Sequence, residues 1–296
     1  MIGFENVRKE YPGGTLAVED FTLEIASHEA VALVGTSGSG KTTLMRMINR
    51  MVDPTSGRVT IDGEDVAAMD PVRLRRSVGY VMQASGLLPH RTVLDNITTV
   101  PVLRGTAKGA ARERARELMD TVGLDPALAT RYPAQLSGGQ QQRVGVARGL
   151  AADPNILLMD EPFGAVDPIV CDELQGELQR LQRELRKTIV FVTHDIDEAF
   201  RIGDRVVILR PGGRIAQVGT PQEILADPAD DFVASFVGAD RGARTLHVER
   251  VDGRDVVVDA DGRAAGVLAG APAHGGAGTS EGDEGREGDR GQERPR

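Results

Sequence analysis

The sequence predicts an α/β domain with a largely parallel sheet, because short apolar strands alternate with amphipathic helices along most of the chain. The run Ala30–Val34 is continuously apolar, as in a strand that is buried on both faces. Leu44, Met47, Ile48 and Met51 then recur at the i, i+3, i+4, i+7 spacing of one helix face. Such alternation is typical of parallel strands that are joined by helical crossovers.

Further segments repeat this alternation. The predicted strands are Val78–Met82, Ile156–Met159, Thr188–Val192 and Arg205–Leu209. The predicted helices cover residues 110–122, 139–152, 168–186 and 195–202. The first 25 residues instead place apolar side chains in a strand-like alternation, at Phe4, Val7, Tyr11, Phe21, Leu23 and Ile25. We therefore expect a β part at the start of the domain.

The domain is expected to end near residue 240, where the composition changes. Residues 1–240 form the predicted domain, and residues 241–268 form a short extension with a predicted hairpin over 244–259. Residues 269–296 contain no Val, Ile, Leu, Met or aromatic residue. Such a segment cannot bury enough apolar surface to offset its ordering entropy, so we expect it to be disordered.

Composition excludes several classes of protein. The 296 residues carry a net charge of −9, with 3% aromatic residues and no Trp, which disfavours a nucleic-acid partner. The single cysteine, Cys171, excludes an internal disulfide and a zinc site built on several thiolates. No apolar run approaches the roughly 18–20 residues that span a bilayer, and the first residues lack a secretory signal. We therefore expect a cytosolic chain.

Gly35–Thr42 matches the phosphate-loop pattern G-x-x-x-x-G-K followed by Ser or Thr, between a strand and a helix. Glycines let the backbone wrap around phosphate oxygens, and the helix N-terminus adds positive charge. We expect Lys41 to reach the β- and γ-phosphates and the Thr42 hydroxyl to ligate Mg²⁺. The predicted binding residues are Gly35, Thr36, Ser37, Gly38, Ser39, Gly40, Lys41, Thr42 and Thr43.

Two carboxylates follow another buried strand. Asp160 ends the run Ile156–Asp160, at the edge of the sheet where α/β proteins place ligands. We expect Asp160 to hold Mg²⁺ and Glu161 to act as the general base, or orienter, for an attacking water.

Leu136–Gln140 reads LSGGQ, and with the phosphate loop it makes the chain resemble the ATP-binding subunits of ABC transporters over roughly residues 2–237. The resemblance implies a P-loop NTPase of ABC type. Such a domain has a mostly parallel sheet core, an antiparallel β part and a helical subdomain, at about residues 84–153, that carries the signature. It also implies ATP and Mg²⁺ as ligands and ATP hydrolysis as the activity.

The resemblance assigns roles residue by residue. Tyr11 would stack on adenine, and Asp167 would lie in a loop that crosses a dimer interface. Gln83 would sense Mg²⁺ and face the permease, and His194 would contact the γ-phosphate. The implied catalytic residues are Lys41, Gln83, Glu161 and His194, and the implied metal ligands are Thr42, Gln83 and Asp160.

The signature also has a physical interpretation. Ser137 and two glycines precede a predicted helix, which makes a second helix N-terminus suited to an anion. By resemblance, two subunits form a homodimer in which the phosphate loop of one faces the signature of the other. The residues implied to bind ATP of the partner subunit are Leu136, Ser137, Gly138, Gly139 and Gln140.

Two segments resemble the importers of glycine betaine, choline, carnitine or proline: Met47–Thr55 and Asp70–Ile97. The Phe163–Asp167 loop is likewise similar to that of many bacterial importers. The implied partners are transmembrane permease subunits and, indirectly, a solute-binding protein. The chain would act at the cytoplasmic face of the cell membrane. Residues 240–296 are too short and polar for the paired CBS domains of many such subunits, so we expect none.

Two other functions remain open from the sequence. One is an importer ATPase for an amino acid or another small polar solute. The other is a soluble ABC-type ATPase that acts on nucleic acid or ribosomes. Such ATPases usually carry two cassettes or a long insertion, whereas this chain has one phosphate loop and one signature. Its net charge of −9 likewise disfavours a nucleic-acid target.

Overall fold

The computed structural model describes residues 1–83, 86–164, 171, 175, 176, 178–180, 182, 184, 186–238, 247–251, 254–258 and 264–267. The chain divides into two units, Met1–Arg241 and Gly242–Arg296. None of the described helices is both long and apolar enough to cross a membrane.

The first unit contains ten strands among its described residues. They are β1 (Ile2–Tyr11), β2 (Thr15–Ile25), β3 (Ala30–Gly35), β4 (Ser56–Ile61), β5 (Glu64–Asp65), β6 (Gly79–Val81), β7 (Ile156–Asp160), β8 (Thr188–Thr193), β9 (Arg205–Arg210) and β10 (Arg214–Gly219). The helices that lie wholly within the described residues are α1 (Lys41–Ile48), α2 (Pro71–Ser77), α3 (Val93–Ile97), α4 (Thr99–Leu103), α5 (Lys108–Thr121), α6 (Gly138–Leu150), α7 (Ile196–Ile202), α8 (Pro221–Ala226) and α9 (Asp231–Val237). Two 3₁₀ turns cover Pro126–Thr130 and Pro133–Gln135.

Six strands form the central sheet, in the order β10-β9-β3-β8-β7-β6. The strands β9, β3, β8, β7 and β6 are parallel, and β10 pairs antiparallel with β9 at one edge. All residues of β3, β7 and β8 are buried, which explains their continuous apolar sequences. In register, Val34 lies beside Thr193, and Asp160 lies beside Val192. The carboxyl ends of β3, β7 and β8 therefore meet at one edge of the sheet.

A second sheet is antiparallel, with the order β2-β1-β4-β5. Phe4 and Phe21 pack edge to face on it, with their ring centroids 5.1 Å apart. One hydrophobic core joins these rings to Leu33 of β3 and Leu44 of α1. The helix that follows the phosphate loop is thus held against both sheets.

The segment of helices α3 to α6 packs on the opposite face of the central sheet, where Ile97, Leu118 and Val144 join one core with Val34 of β3. The fully buried Asn96 organises the turn before α3. Its Oδ1 accepts from the backbone N–H of Leu88 at 2.7 Å, and its Nδ2 donates to the carbonyl of that residue at 3.1 Å. The fold is the predicted one: a mostly parallel core, an antiparallel β part and a helical part.

The second unit contains β11 (His247–Val251), β12 (Arg254–Val258) and β13 (Ala264–Val267) among its described residues. β12 pairs antiparallel with both neighbours, and Val251 lies opposite Arg254. The first pair falls within residues 244–259, for which the sequence predicts a hairpin. The division of the chain at residue 240 stays a prediction, and the expected tail over 269–296 lies outside the described residues.

We expect Leu33→Ala to lower the free energy of unfolding by about 2–5 kcal/mol, because it opens a cavity at the centre of the sheet. Leu33 is 1% exposed, whereas Leu16 on β2 is 36% exposed and serves as the matched control. Leu16→Ala should cost less than about 1 kcal/mol. Urea denaturation followed by circular dichroism measures both values, and equal losses would contradict the assignment of Leu33 to the core.

Candidate functional site

The phosphate loop runs from the end of β3 to the start of α1. Gly40 has a φ of 82°, and a Cβ placed on it would lie 2.5 Å from the carbonyl oxygen of Ala17. Glycine is therefore required at this position. The Lys41 Nζ donates to the carbonyl oxygens of Gly35 at 2.7 Å and Thr36 at 2.9 Å, so the lysine holds the two ends of the loop together.

The Lys41 ammonium is buried beside two carboxylates. Burial lowers its pKa, and the charges of Glu161 and Asp160 act in the opposite direction. The loop therefore places a cation and the N-terminus of α1 at the same edge of the sheet as these carboxylates. Such an arrangement is suited to an anionic ligand with an attached cation.

Asp160 is 4% exposed and uses both carboxylate oxygens. Its Oδ1 accepts from the Thr42 hydroxyl at 2.9 Å. Its Oδ2 accepts from the Arg46 guanidinium at 3.3 Å and from the Tyr80 hydroxyl at 3.4 Å. Burial raises the pKa of Tyr80, which keeps this hydroxyl protonated as a donor. Asp160 is thus fixed by Thr42 and Arg46 of the phosphate-loop helix α1 and by Tyr80 of β6.

The two oxygens of Glu161 face different side chains. Its Oε2 accepts from the Gln83 side-chain amide at 2.7 Å, and its Oε1 lies 3.5 Å from the His194 Nδ1. Its backbone has a φ of 44°, in the left-handed region, and its N–H donates to the Val192 carbonyl at 2.9 Å. The bond to β8 stabilises this strained turn, which brings three of the predicted catalytic residues together.

A cavity of about 510 Å³ opens over the phosphate loop. Its lining residues are Ser37, Gly38, Ser39, Gly40, Lys41, Thr42, Thr43, Glu161 and His194. Tyr11 lies beside it at the end of β1, with its hydroxyl oxygen 3.4 Å from the Thr43 Oγ1 and its ring 36% exposed. The side chain of Lys9 covers the Tyr11 ring, with its Nζ 5.1 Å from the centroid.

The signature residues begin α6 in the helical part. Ser137 is the N-cap, and its Oγ accepts from the Gln140 backbone N–H at 3.3 Å. The Gln140 Oε1 accepts in turn from the Ser137 backbone N–H at 3.0 Å. None of Leu136–Gln140 lines the described cavity over the phosphate loop. The structure therefore does not bring the two motifs of one chain together, and Asp167 lies outside the described residues.

The sequence analysis missed four side chains that hold this site: Arg46 and Tyr80 at Asp160, and Thr193 and Glu198 beside His194. A signal was present for one of them. Arg46 follows Thr42 by four residues on α1, which places both on one helix face. Glu198 gave no such signal, because its partner Thr193 lies on β8, before the helix begins. Tyr80 gave no such signal, because its approach to Asp160 depends on the pairing of β6 with β7.

The fold and the loop define a nucleotide-binding α/β protein of the phosphate-loop class. The model of the ABC transporter family matches residues 18–164. The chain is 48% identical over 252 residues to the glycine betaine uptake system ATP-binding protein YehX of Escherichia coli. These residues cover 85% of this chain and 81% of YehX. The chain belongs to the ABC transporter family, as its sequence predicts.

Other comparisons agree with this assignment. The choline transport ATP-binding protein OpuBA of Bacillus subtilis is 53% identical over 254 residues, which cover 85% of this chain and 66% of OpuBA. The chain thus spans slightly less than two thirds of that relative. The dimeric cassette MJ0796, in a post-hydrolysis state bound to ADP and Pi, matches with a TM-score of 0.69 and 36% identity over 75% of this chain and 99% of that one. These matches confirm the predicted fold of an ABC-type cassette.

Proposed function

We propose that this chain is the ATP-hydrolysing subunit of an importer for osmoprotectants: the quaternary amines glycine betaine, choline and carnitine, or proline. The observation that carries the proposal is the convergence of Lys41, Glu161 and His194 on one cavity. A cation, a carboxylate and an imidazole in this arrangement supply what hydrolysis of a phosphoanhydride needs.

ATP binding follows from the geometry of the loop. The backbone N–H groups of residues 36–42 surround the β- and γ-phosphates, and Lys41 turns from the loop carbonyls to the phosphate oxygens. Signature residues 136–140 serve the ATP of a partner subunit. Tyr11, which is 36% exposed at the end of β1, stacks its ring on the adenine. The hydroxyl contact with Thr43 keeps that ring next to the loop.

Hydrolysis is assigned to the cluster around Glu161. Its carboxylate orients and deprotonates the attacking water, Gln83 fixes one carboxylate oxygen, and His194 lies beside the other and contacts the γ-phosphate. Lys41 stabilises the charge that develops on the phosphate oxygens.

Three residues would supply oxygen ligands for Mg²⁺. The Thr42 hydroxyl and the Asp160 carboxylate lie 2.9 Å apart. Gln83, whose amide nitrogen donates to Glu161, would supply a third oxygen. Mg²⁺ prefers such ligands and takes its others from water and phosphate. Among the described residues, no group of three His, Cys, Asp or Glu could hold a metal ion. When bound, the ion neutralises phosphate charge.

The complete site is assigned to a homodimer. The signature begins a capped helix that does not reach the phosphate loop of its own chain, so its anion-binding N-terminus is available to the nucleotide on a second copy. The resemblance of Gly164–Asp167 to the family's interface loop implies the same role for Asp167. The similar cassette MJ0796 is dimeric, which supports this arrangement. ATP then favours the closed dimer, and hydrolysis favours the open one.

The cargo is proposed from the relatives. YehX is named for glycine betaine uptake and OpuBA for choline transport, and both match 85% of this chain. The cassette would act at the cytoplasmic face of the membrane, bound to permease subunits that receive solute from a binding protein. No nucleic-acid partner is proposed, given the charge of −9.

Lys41→Ala should lower ATP affinity and reduce hydrolysis on the order of 100-fold or more, because the phosphates lose a fixed cation. Lys108→Ala, on α5 and outside the cavity lining, is the matched control and should behave as wild type. Titration with ATP and phosphate release measure both effects. Near-normal hydrolysis by Lys41→Ala would overturn the assigned site.

Glu161→Gln should bind MgATP and accumulate as a dimer, because the site retains its ligands but lacks the base. Size-exclusion chromatography with MgATP measures the dimer, and MgADP provides the control. The double variant Glu161→Gln, Lys41→Ala should remain monomeric under the same conditions. A monomer in every condition would contradict a site that is shared between two copies.

Uptake of labelled glycine betaine tests the cargo in the source cell lacking this protein. Wild type should restore uptake, and Glu161→Gln should not, because transport requires hydrolysis. Unchanged uptake on deletion would contradict the osmoprotectant assignment, and labelled amino acids in the same cells would then identify the alternative class of solute.

A further inference from the structure

The turn that carries His194 is held by a neighbouring hydroxyl. Thr193 ends β8 with 1% exposure, and its Oγ1 donates to the Glu198 carboxylate. The same oxygen accepts from the backbone N–H of Asp195 at 3.0 Å. One buried hydroxyl therefore bonds both to the residue that follows His194 and to α7.

The first turn of α7 completes the arrangement. The Asp195 Oδ1 caps the helix, accepting from the backbone N–H of Asp197 at 2.7 Å and of Glu198 at 3.4 Å. Glu198 thus sits at a fixed backbone position, and its side chain returns to Thr193. Thr193, which precedes His194, is held by β8 and by the bonds of its hydroxyl. Asp195, which follows His194, is held by its capping bonds to the first turn of α7.

His194 itself is weakly held. Its side chain is 66% exposed, and its Nδ1 lies 3.5 Å from the Glu161 Oε1, beyond a normal hydrogen bond. Packing therefore does not fix the ring, and its placement over the cavity depends on the backbone of residues 193–195. Small displacements of a reacting group are costly, since about 1 Å reduces rates on the order of 100-fold.

We propose that Thr193 and Glu198 are positioning residues for hydrolysis, which fix the His194 backbone through the Thr193 hydroxyl so that the imidazole faces Glu161 and the γ-phosphate. This inference rests on the role proposed for His194. Burial raises the pKa of Glu198, whereas the Thr193 hydrogen bond lowers it, so that bond also helps to keep the carboxylate ionised as an acceptor.

Two substitutions at Thr193 separate the hydroxyl from packing. Thr193→Val keeps the shape and removes the hydroxyl, and Thr193→Ser keeps the hydroxyl and removes a methyl group. We expect the Val variant to lose about tenfold or more in kcat with KM for ATP within about twofold, and the Ser variant to stay within about threefold of wild type. A residue needed only for packing would show the reverse order, which would overturn the proposal.

Glu198 provides the second pair. Glu198→Gln retains an oxygen that accepts from Thr193 and should keep most activity, whereas Glu198→Ala should lose activity, by no more than Thr193→Val, because the bond between the hydroxyl and the Asp195 N–H remains. The double variant Thr193→Val, Glu198→Ala should be no slower than Thr193→Val alone, because that substitution already removes the interaction with Glu198. If the two losses of kcat instead multiply in the double variant, the two residues act independently and the proposal is overturned.

Hydrogen exchange supplies a readout other than activity. The Asp195 amide should exchange faster in Thr193→Val than in wild type, because it loses its acceptor, and unchanged protection would overturn the proposal.

His194→Ala distinguishes failure of the proposed role of His194 from failure of the positioning role of Thr193 and Glu198. If His194→Ala hydrolyses ATP normally, the proposed role of His194 fails, and with it this inference. If it is slow while Thr193→Val is fast, only the positioning role fails.

Discussion

The parallel pairing of β3, β7 and β8 is the constraint on which the rest of the structure depends. Parallel strands bring their carboxyl ends to one edge, and three motifs that are far apart in sequence follow these strands. The phosphate loop follows β3, Glu161 follows β7, and His194 follows β8. Complete burial of the three strands fixes this arrangement, since any change in register would move buried side chains and the motifs together.

The local parts of this arrangement could be predicted from the sequence. The apolar run of β3, the glycines after it and the apolar face of α1 each depend on short-range patterns, and the structure has them where they were expected. The LSGGQ motif in turn predicted the family. The contacts around Asp160 could be predicted only in part. Arg46 shares one face of α1 with Thr42, which the local spacing indicates. Tyr80 reaches Asp160 only because β6 pairs with β7, and no local pattern specifies that order.

Each of the two carboxylates of the site contacts different partners with its two oxygens. One oxygen of Asp160 accepts from Thr42, which lines the cavity, and the other accepts from Arg46 and Tyr80. One oxygen of Glu161 accepts from Gln83, and the other faces His194. Each carboxylate has one oxygen that is held, so its second oxygen keeps a defined direction at little further entropic cost when a ligand arrives.

The same reasoning explains why the imidazole requires a different solution. A carboxylate can be anchored by one oxygen while the other acts, whereas the His194 side chain is 66% exposed and its Nδ1 lies 3.5 Å from the Glu161 Oε1. The fold therefore has to hold His194 from its backbone, at a point where β8 ends and α7 begins. A buried hydroxyl at the last strand position and an acidic residue in the first helical turn provide this support. The position of this exposed imidazole thus depends on the neighbours of His194 in sequence rather than on the contacts of its own ring.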